Sequence, residues 1–116
     1  MSSKDRKILQ GMLEFALRVD ARLKGVTLEK FLSDLVLQDS VLYALGQLGE
    51  KTNLLSDSFL EQYPSDDWYK LIGLRNRLFH SYEDIKLDMV YEMAKNDIGN
   101  LINNIVGLQQ ADQIDG

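Results

Sequence analysis

Apolar residues recur along this chain every three or four positions, and nowhere do they alternate over a strand's length. Ile8, Met12, Phe15, Ala16, Val19 and Leu23 share one face of a first predicted helix, which Gly25 closes. Thr27 is placed to cap a short second helix through about Leu37. Asp39 or Ser40 then caps a third, whose stripe is Val41, Leu45, Leu48, Thr52 and Leu55. Ser56, Asp57 and Ser58 start a short turn of helix that ends near Tyr63 and Pro64, the one proline. Ser65 or Asp66 restarts the chain, with acids in the first turn where the helix dipole favours them. Trp68, Leu71, Leu74 and Leu78 form the apolar face of that helix. A long last helix, from about Ile85 to Gln109, carries Leu87, Val90, Ala94, Leu101, Ile105 and Leu108, with Glu83 and Asp84 at its start.

The pattern predicts an all-α bundle of four or five helices in a single domain, residues 1–116, with a frayed polar tail over 110–116. Trp68, Phe59, Phe31, Tyr43 and Tyr91 read as core or interface aromatics, and Met12, Met89 and Met93 as core filler. Gly73 interrupts a helix, either as a point of close packing at a dimer seam or as a tolerated defect.

Composition narrows the class. Hydrophobic residues at 45% and charged residues at 27% suit a folded globular chain rather than a disordered one. No apolar run approaches the roughly 18 residues that span a bilayer. The charged N-terminus is not followed by an apolar block, so it does not read as a signal peptide. A cytoplasmic protein with no membrane partner is the expectation. With no cysteine and one histidine, no metal constellation is in view, and the reading calls for no cofactor. A net charge of −5 argues against broad duplex binding through many phosphate contacts.

One window departs from that acidity. From Lys70 to Tyr82 there is no Asp or Glu, while Lys70, Arg75 and Arg77 are cationic and His80 is the sole histidine. Arginine presents a planar fork of donors to phosphate, and histidine exchanges a proton near neutral pH. Asn76 can orient a hydroxyl or an imidazole. Together they suit metal-free RNA cleavage, in which the ribose 2′-hydroxyl attacks its own phosphate. On a helix, Arg75 and His80 stand about 140° apart, whereas Asn76 and His80 are about 40° apart and Arg75 and Tyr82 about 20°. An Arg75–His80 site therefore needs a helix end, a bend, or a second copy of the chain across a twofold axis.

Arg75-x4-His80-x-Tyr82, within Gly-Leu-Arg-Asn-Arg-Leu-Phe-His-Ser-Tyr and followed by Ile85 and Asp88, resembles the signature of HEPN domains. More narrowly, it resembles the HepT-like (DUF86) toxins of HepT/MntA toxin–antitoxin pairs. The resemblance implies a homodimeric HEPN bundle and a metal-independent ribonuclease acting on RNA, with tRNA a candidate. It implies Arg75 and His80 as catalytic residues and Asn76 as their support. Lys70 and Arg77 would contact RNA. Tyr82 would receive AMP from a MntA-like nucleotidyltransferase that silences the toxin, in a type VII-like pair. The alternative is a non-catalytic subunit that recruits substrate to a partner nucleotidyltransferase.

Overall fold

The computed structural model describes residues 1–115. Six α-helices follow one another: α1 (Ser3–Leu23), α2 (Leu28–Ser33), α3 (Leu35–Thr52), α4 (Asp57–Gln62), α5 (Asp66–His80) and α6 (Leu87–Asp115). A single 3₁₀ turn, Tyr82–Asp84, joins the last two. No described residue is in a strand. The all-α bundle is as expected, and the four or five helices become six because both short segments, α2 and α4 with six residues each, form helices of their own.

Side-chain caps set the boundaries. Ser2, Thr27, Ser56 and Ser65 each accept a backbone N–H in the first turn of the helix they precede. The break between the second and third helices falls earlier than predicted. Asp34, not Asp39 or Ser40, is the cap, because its carboxylate accepts the Leu37 N–H at 3.0 Å. Gly25, at φ +71°, turns the chain out of α1 in a conformation other residues resist.

α3 is the central element. It packs on α1 along one side and on α5 along another, while α1 also packs on α6. Val41, Leu45, Leu48, Leu9, Met12 and Phe31 are fully buried among the core side chains. Phe59 and Trp68 pack in the core with their rings tilted by 57°, and the indole N–H of Trp68 donates to the Tyr63 carbonyl at 2.8 Å. Met89, expected as core filler, lies outside the core at 61% exposed, and Tyr43, expected in the core or at an interface, is equally exposed. Tyr43 is flanked by Phe15 of α1, and Met89 lines the groove between α5 and α6.

α6 continues through the segment expected to fray, as far as Asp115; Gly116 lies outside the described residues. An ion pair explains the extension. Asp112 binds Arg6 of α1 at 2.7 Å and lies 3.8 Å from the N-terminal amine. Hydrogen bonding and charge attraction from Arg6 hold the Asp112 carboxyl below the usual carboxylate range. The N-terminus is tied down again by Asp5, which is 2% exposed. Its carboxylate accepts from the Ser56 hydroxyl at 2.6 Å and the Ser56 amide at 3.0 Å, and from Ser2 at 2.9 Å. Burial alone raises the Asp5 pKa, but these hydrogen bonds outweigh it and hold the group below its ordinary value.

Candidate active site

α5 and the turn after it carry the whole cationic window, and the helix runs unbroken through His80. Its packing on α3 fixes one residue of the window firmly. At Gly49 an added Cβ would stand 2.5 Å from both the Leu71 carbonyl oxygen and the Arg75 Cβ, so only glycine admits α5 this closely. The neighbouring Glu50 then reaches Arg75, whose Nε donates to its carboxylate at 2.7 Å. Arg75 Nη1 donates to Asn76 Oδ1, also at 2.7 Å. The guanidinium lies 4.9 Å from the centre of the Phe79 ring, one turn along the helix. It is thus held on one edge, at one terminal nitrogen and across a face. Nη2 has no partner among the described residues. An arginine so held offers its remaining N–H groups to an anion with little orientational entropy to lose.

The structure brings Arg75 and Asn76 together and leaves the other expected residues apart from them. His80 is the exposed last residue of α5, and no described hydrogen bond or ion pair joins it to Arg75 or Asn76. Ser81 ends the helix, its N–H bonded to the Arg77 carbonyl. Tyr82 begins the 3₁₀ turn and is 55% exposed. Glu83 and Asp84 belong to that turn rather than to α6.

Lys70 and Arg77 face away from Glu50. They line a groove of about 740 Å³ between α5 and α6, whose apolar wall includes Leu74, Met89 and Met93. Gly73 lies on the same groove, and a Cβ there would meet nothing within 4 Å. Close packing of Gly73 within the chain is therefore not its role.

Sequence reasoning missed Glu50, Gly49 and Phe79. Glu50 is one of 18 acids, and nothing local marks it as the partner of a residue 25 positions away. Gly46 and Gly49, at i and i+3 within a helical stripe, were the available signal for close approach of a second helix. Phe79 was legible as the i+4 neighbour of Arg75.

A family model described as HepT-like, "Ribonuclease HepT-like", matches residues 12–106, a span that includes Glu50, Arg75, His80 and Tyr82. The chain is 30% identical over 99 residues to "Putative RNase MJ1380" of Methanocaldococcus jannaschii, covering 84% of this chain and 91% of the relative. It is 24% identical over 101 residues to "Probable ribonuclease HepT" of Thermococcus cleftensis, covering 87% and 92%. No solved structure gives a significant match. The helical bundle, the arginine held on α5 and these relatives agree, and the chain belongs to the HepT-like ribonuclease family.

Proposed function

We propose that this protein is a metal-independent endoribonuclease that cuts RNA as a homodimer, and that it is the toxin of a toxin–antitoxin pair. The observation that carries this reading is Arg75, clamped by Glu50, Asn76 and Phe79 with donors to spare, at the Arg-x4-His spacing of a chain in a ribonuclease family.

The chemistry follows from the side chains. The ribose 2′-oxygen attacks the adjacent phosphorus, and the bond from phosphorus to the 5′-oxygen breaks. The 2′-hydroxyl proton passes to a His80 imidazole, and water gives a proton to the departing 5′-oxygen. Arg75 binds the non-bridging oxygens, whose charge grows in the transition state. The products are a cyclic phosphate and a 5′-hydroxyl. Because one chain holds Arg75 and His80 on different sides of α5, the reading places a second copy across a twofold axis, where the His80 of one chain meets the Arg75 of the other.

Silencing fits the exposed Tyr82. The phenolic oxygen attacks the α-phosphorus of ATP, pyrophosphate leaves, and the phenolic proton passes to solvent or a base on the partner nucleotidyltransferase. The AMP so attached adds an anion and an adenosine beside the cationic window and competes with substrate phosphate.

The test is cleavage of total RNA, with tRNA included, by pure protein with and without EDTA. The expected result is cyclic or 3′-phosphate ends in both. RNA left intact at high protein concentration would favour the alternative, a non-catalytic subunit that recruits substrate for a nucleotidyltransferase. Co-expression with a MntA-like enzyme is expected to add AMP at Tyr82 by intact mass. Tyr82→Phe is expected to stay active and escape silencing; silencing of an unmodified Tyr82 would refute the covalent route.

A further inference from the structure

Among the described residues, three of the chain's 13 Lys and Arg side chains form ion pairs. Arg6 pairs with Asp112, Lys30 with Asp34, and Arg75 with Glu50. Arg18, Arg22 and Lys51 join no ion pair among the described residues. Glu14 stands one turn before Arg18 on α1, at the spacing that ordinarily pairs, and does not pair with it. All three cations lie along the seam where α1 packs on α3. The Arg18 guanidinium is 4.7 Å, and the Lys51 ammonium 5.8 Å, from the centre of the Phe15 ring. Phe15 meets Tyr43 of α3 edge to face, with ring centres 6.3 Å apart. Arg22 Nε donates to Ser40 Oγ at 3.0 Å.

Tyr43 is 61% exposed, a large aromatic at the surface that packing within the chain does not account for. It also links the seam to the candidate active site. Tyr43 and Glu50 are seven residues apart on α3, so they lie about 20° apart around the helix and about 10 Å along it. The first touches Phe15 and the second holds Arg75. Between them is Gly46, where an added Cβ would stand 3.5 Å from the Phe79 ring.

We propose that the α1–α3 seam is a docking track for single-stranded RNA, taking the stretch of substrate that leaves the Arg75 site. This rests on the ribonuclease reading. Cations without acidic partners, interleaved with an exposed aromatic ring, suit a phosphodiester backbone with unpaired bases that can stack. A peptide helix would call for an apolar groove instead, and duplex binding would call for more cations than this acidic chain sets in one place.

The experiment measures binding by anisotropy with a labelled single-stranded RNA of about 20 nucleotides, in a His80→Ala background so that the probe stays intact. The salt dependence is compared with and without Arg18→Ala, Arg22→Ala and Lys51→Ala together. Each phosphate contact contributes about 0.7 to the slope of log affinity against log salt, so the triple variant is expected to lose about 2 from the slope. Tyr43→Ala is expected to weaken binding about tenfold without changing the slope. Circular dichroism melts confirm folding, and Arg18→Lys with Arg22→Lys is expected to restore the slope.

An unchanged slope and affinity in the folded triple variant would overturn the track and leave the ribonuclease reading intact. A triple variant that instead falls apart into monomers, with the slope unchanged, would make the seam an interface between copies and also overturn the track. RNA bound through the seam but never cut by the parent chain would uphold the track and remove the ribonuclease reading. A parent chain that does not bind the RNA at all would overturn the track directly.

Discussion

The two sides of α5 are built differently. Toward α3 the packing is tight: Gly49 admits the helix, and Glu50, Asn76 and Phe79 hold Arg75. Toward α6 the helix stands off, leaving a groove of about 740 Å³ lined by Lys70, Gly73 and Arg77. His80 and Tyr82, at the end of the helix, are exposed. The chain therefore fixes Arg75 by its own packing and leaves His80 outward, the two halves of the proposed phosphate site. What the difference teaches is where outside molecules are needed. Arg75 is oriented by one chain alone, whereas His80 has no partner among the described residues, and on the proposed reading a second chain or the substrate supplies one.

The largest expected effect breaks both halves in turn. Arg75→Ala and His80→Ala should each lower the rate of RNA cleavage by about 10²–10⁴-fold with unchanged helical circular dichroism. A His80→Ala protein that cuts at the parent rate would remove His80 from the chemistry.

The clamp is tested by Glu50→Ala, which frees Nε of Arg75 without deleting the cation. A misplaced catalytic group costs up to about 10²-fold, so a fall of about 10–100-fold is expected, with the melting temperature little changed. Glu50→Gln, which keeps an acceptor, should recover part of the loss. Equal rates in all three proteins would show that the clamp does not matter to catalysis.

Away from the site, Asp5 is the control for stability without catalysis. Replacing it by alanine leaves the Ser56 amide without its acceptor and takes the charged acceptor from the Ser56 and Ser2 hydroxyls, and should cost about 1.5–3 kcal/mol. Its folded pKa lies below the unfolded one. Its contribution is therefore fully present above the ordinary carboxylate pKa of about 4 and is lost as pH falls through the folded value. Chemical denaturation at a series of acid pH values should show the parent converging on Asp5→Ala. Parallel curves down to the lowest pH would contradict the buried hydrogen-bond cluster.

Two glycines sharpen the contrast further. Gly49→Ala must push α3 and α5 apart and should destabilise by about 1–3 kcal/mol. Gly73→Ala meets open space and should stabilise by up to about 1 kcal/mol through helix propensity. Thermal melts of both proteins decide this. A destabilising Gly73→Ala would show that the α5–α6 groove is filled in solution.

The bundle was legible because burial at helical spacing leaves a direct trace: Met12, Ala16, Val19 and Leu23 of α1 and Trp68, Leu71, Leu74 and Leu78 of α5 are buried as expected, while Ile8 and Phe15 are only partly buried and Leu9 is buried instead. Boundaries were less legible where several capping residues compete, as at Asp34, Asp39 and Ser40, since geometry alone chooses among them. The fate of the tail depended on Arg6 meeting Asp112, 106 positions away, which no local pattern encodes. The same is true of the site. Arg75, Asn76, His80 and Tyr82 stand within one short motif, but the acid that holds Arg75 comes from α3. The exposure of Tyr43 and Met89 shows the converse limit, since an apolar side chain at helical spacing can still face outward.

The central claim is that a second chain completes a site whose arginine is already set. It is tested most directly by mixing two inactive proteins, Arg75→Ala and His80→Ala, under conditions that let dimers exchange, and measuring RNA cleavage. Each protein alone lacks one group in both of its sites. A mixed dimer regains one site with an intact Arg75 facing an intact His80, so the account predicts that activity returns on mixing. Activity that stays absent, with mixed dimers shown by native mass spectrometry, would contradict it.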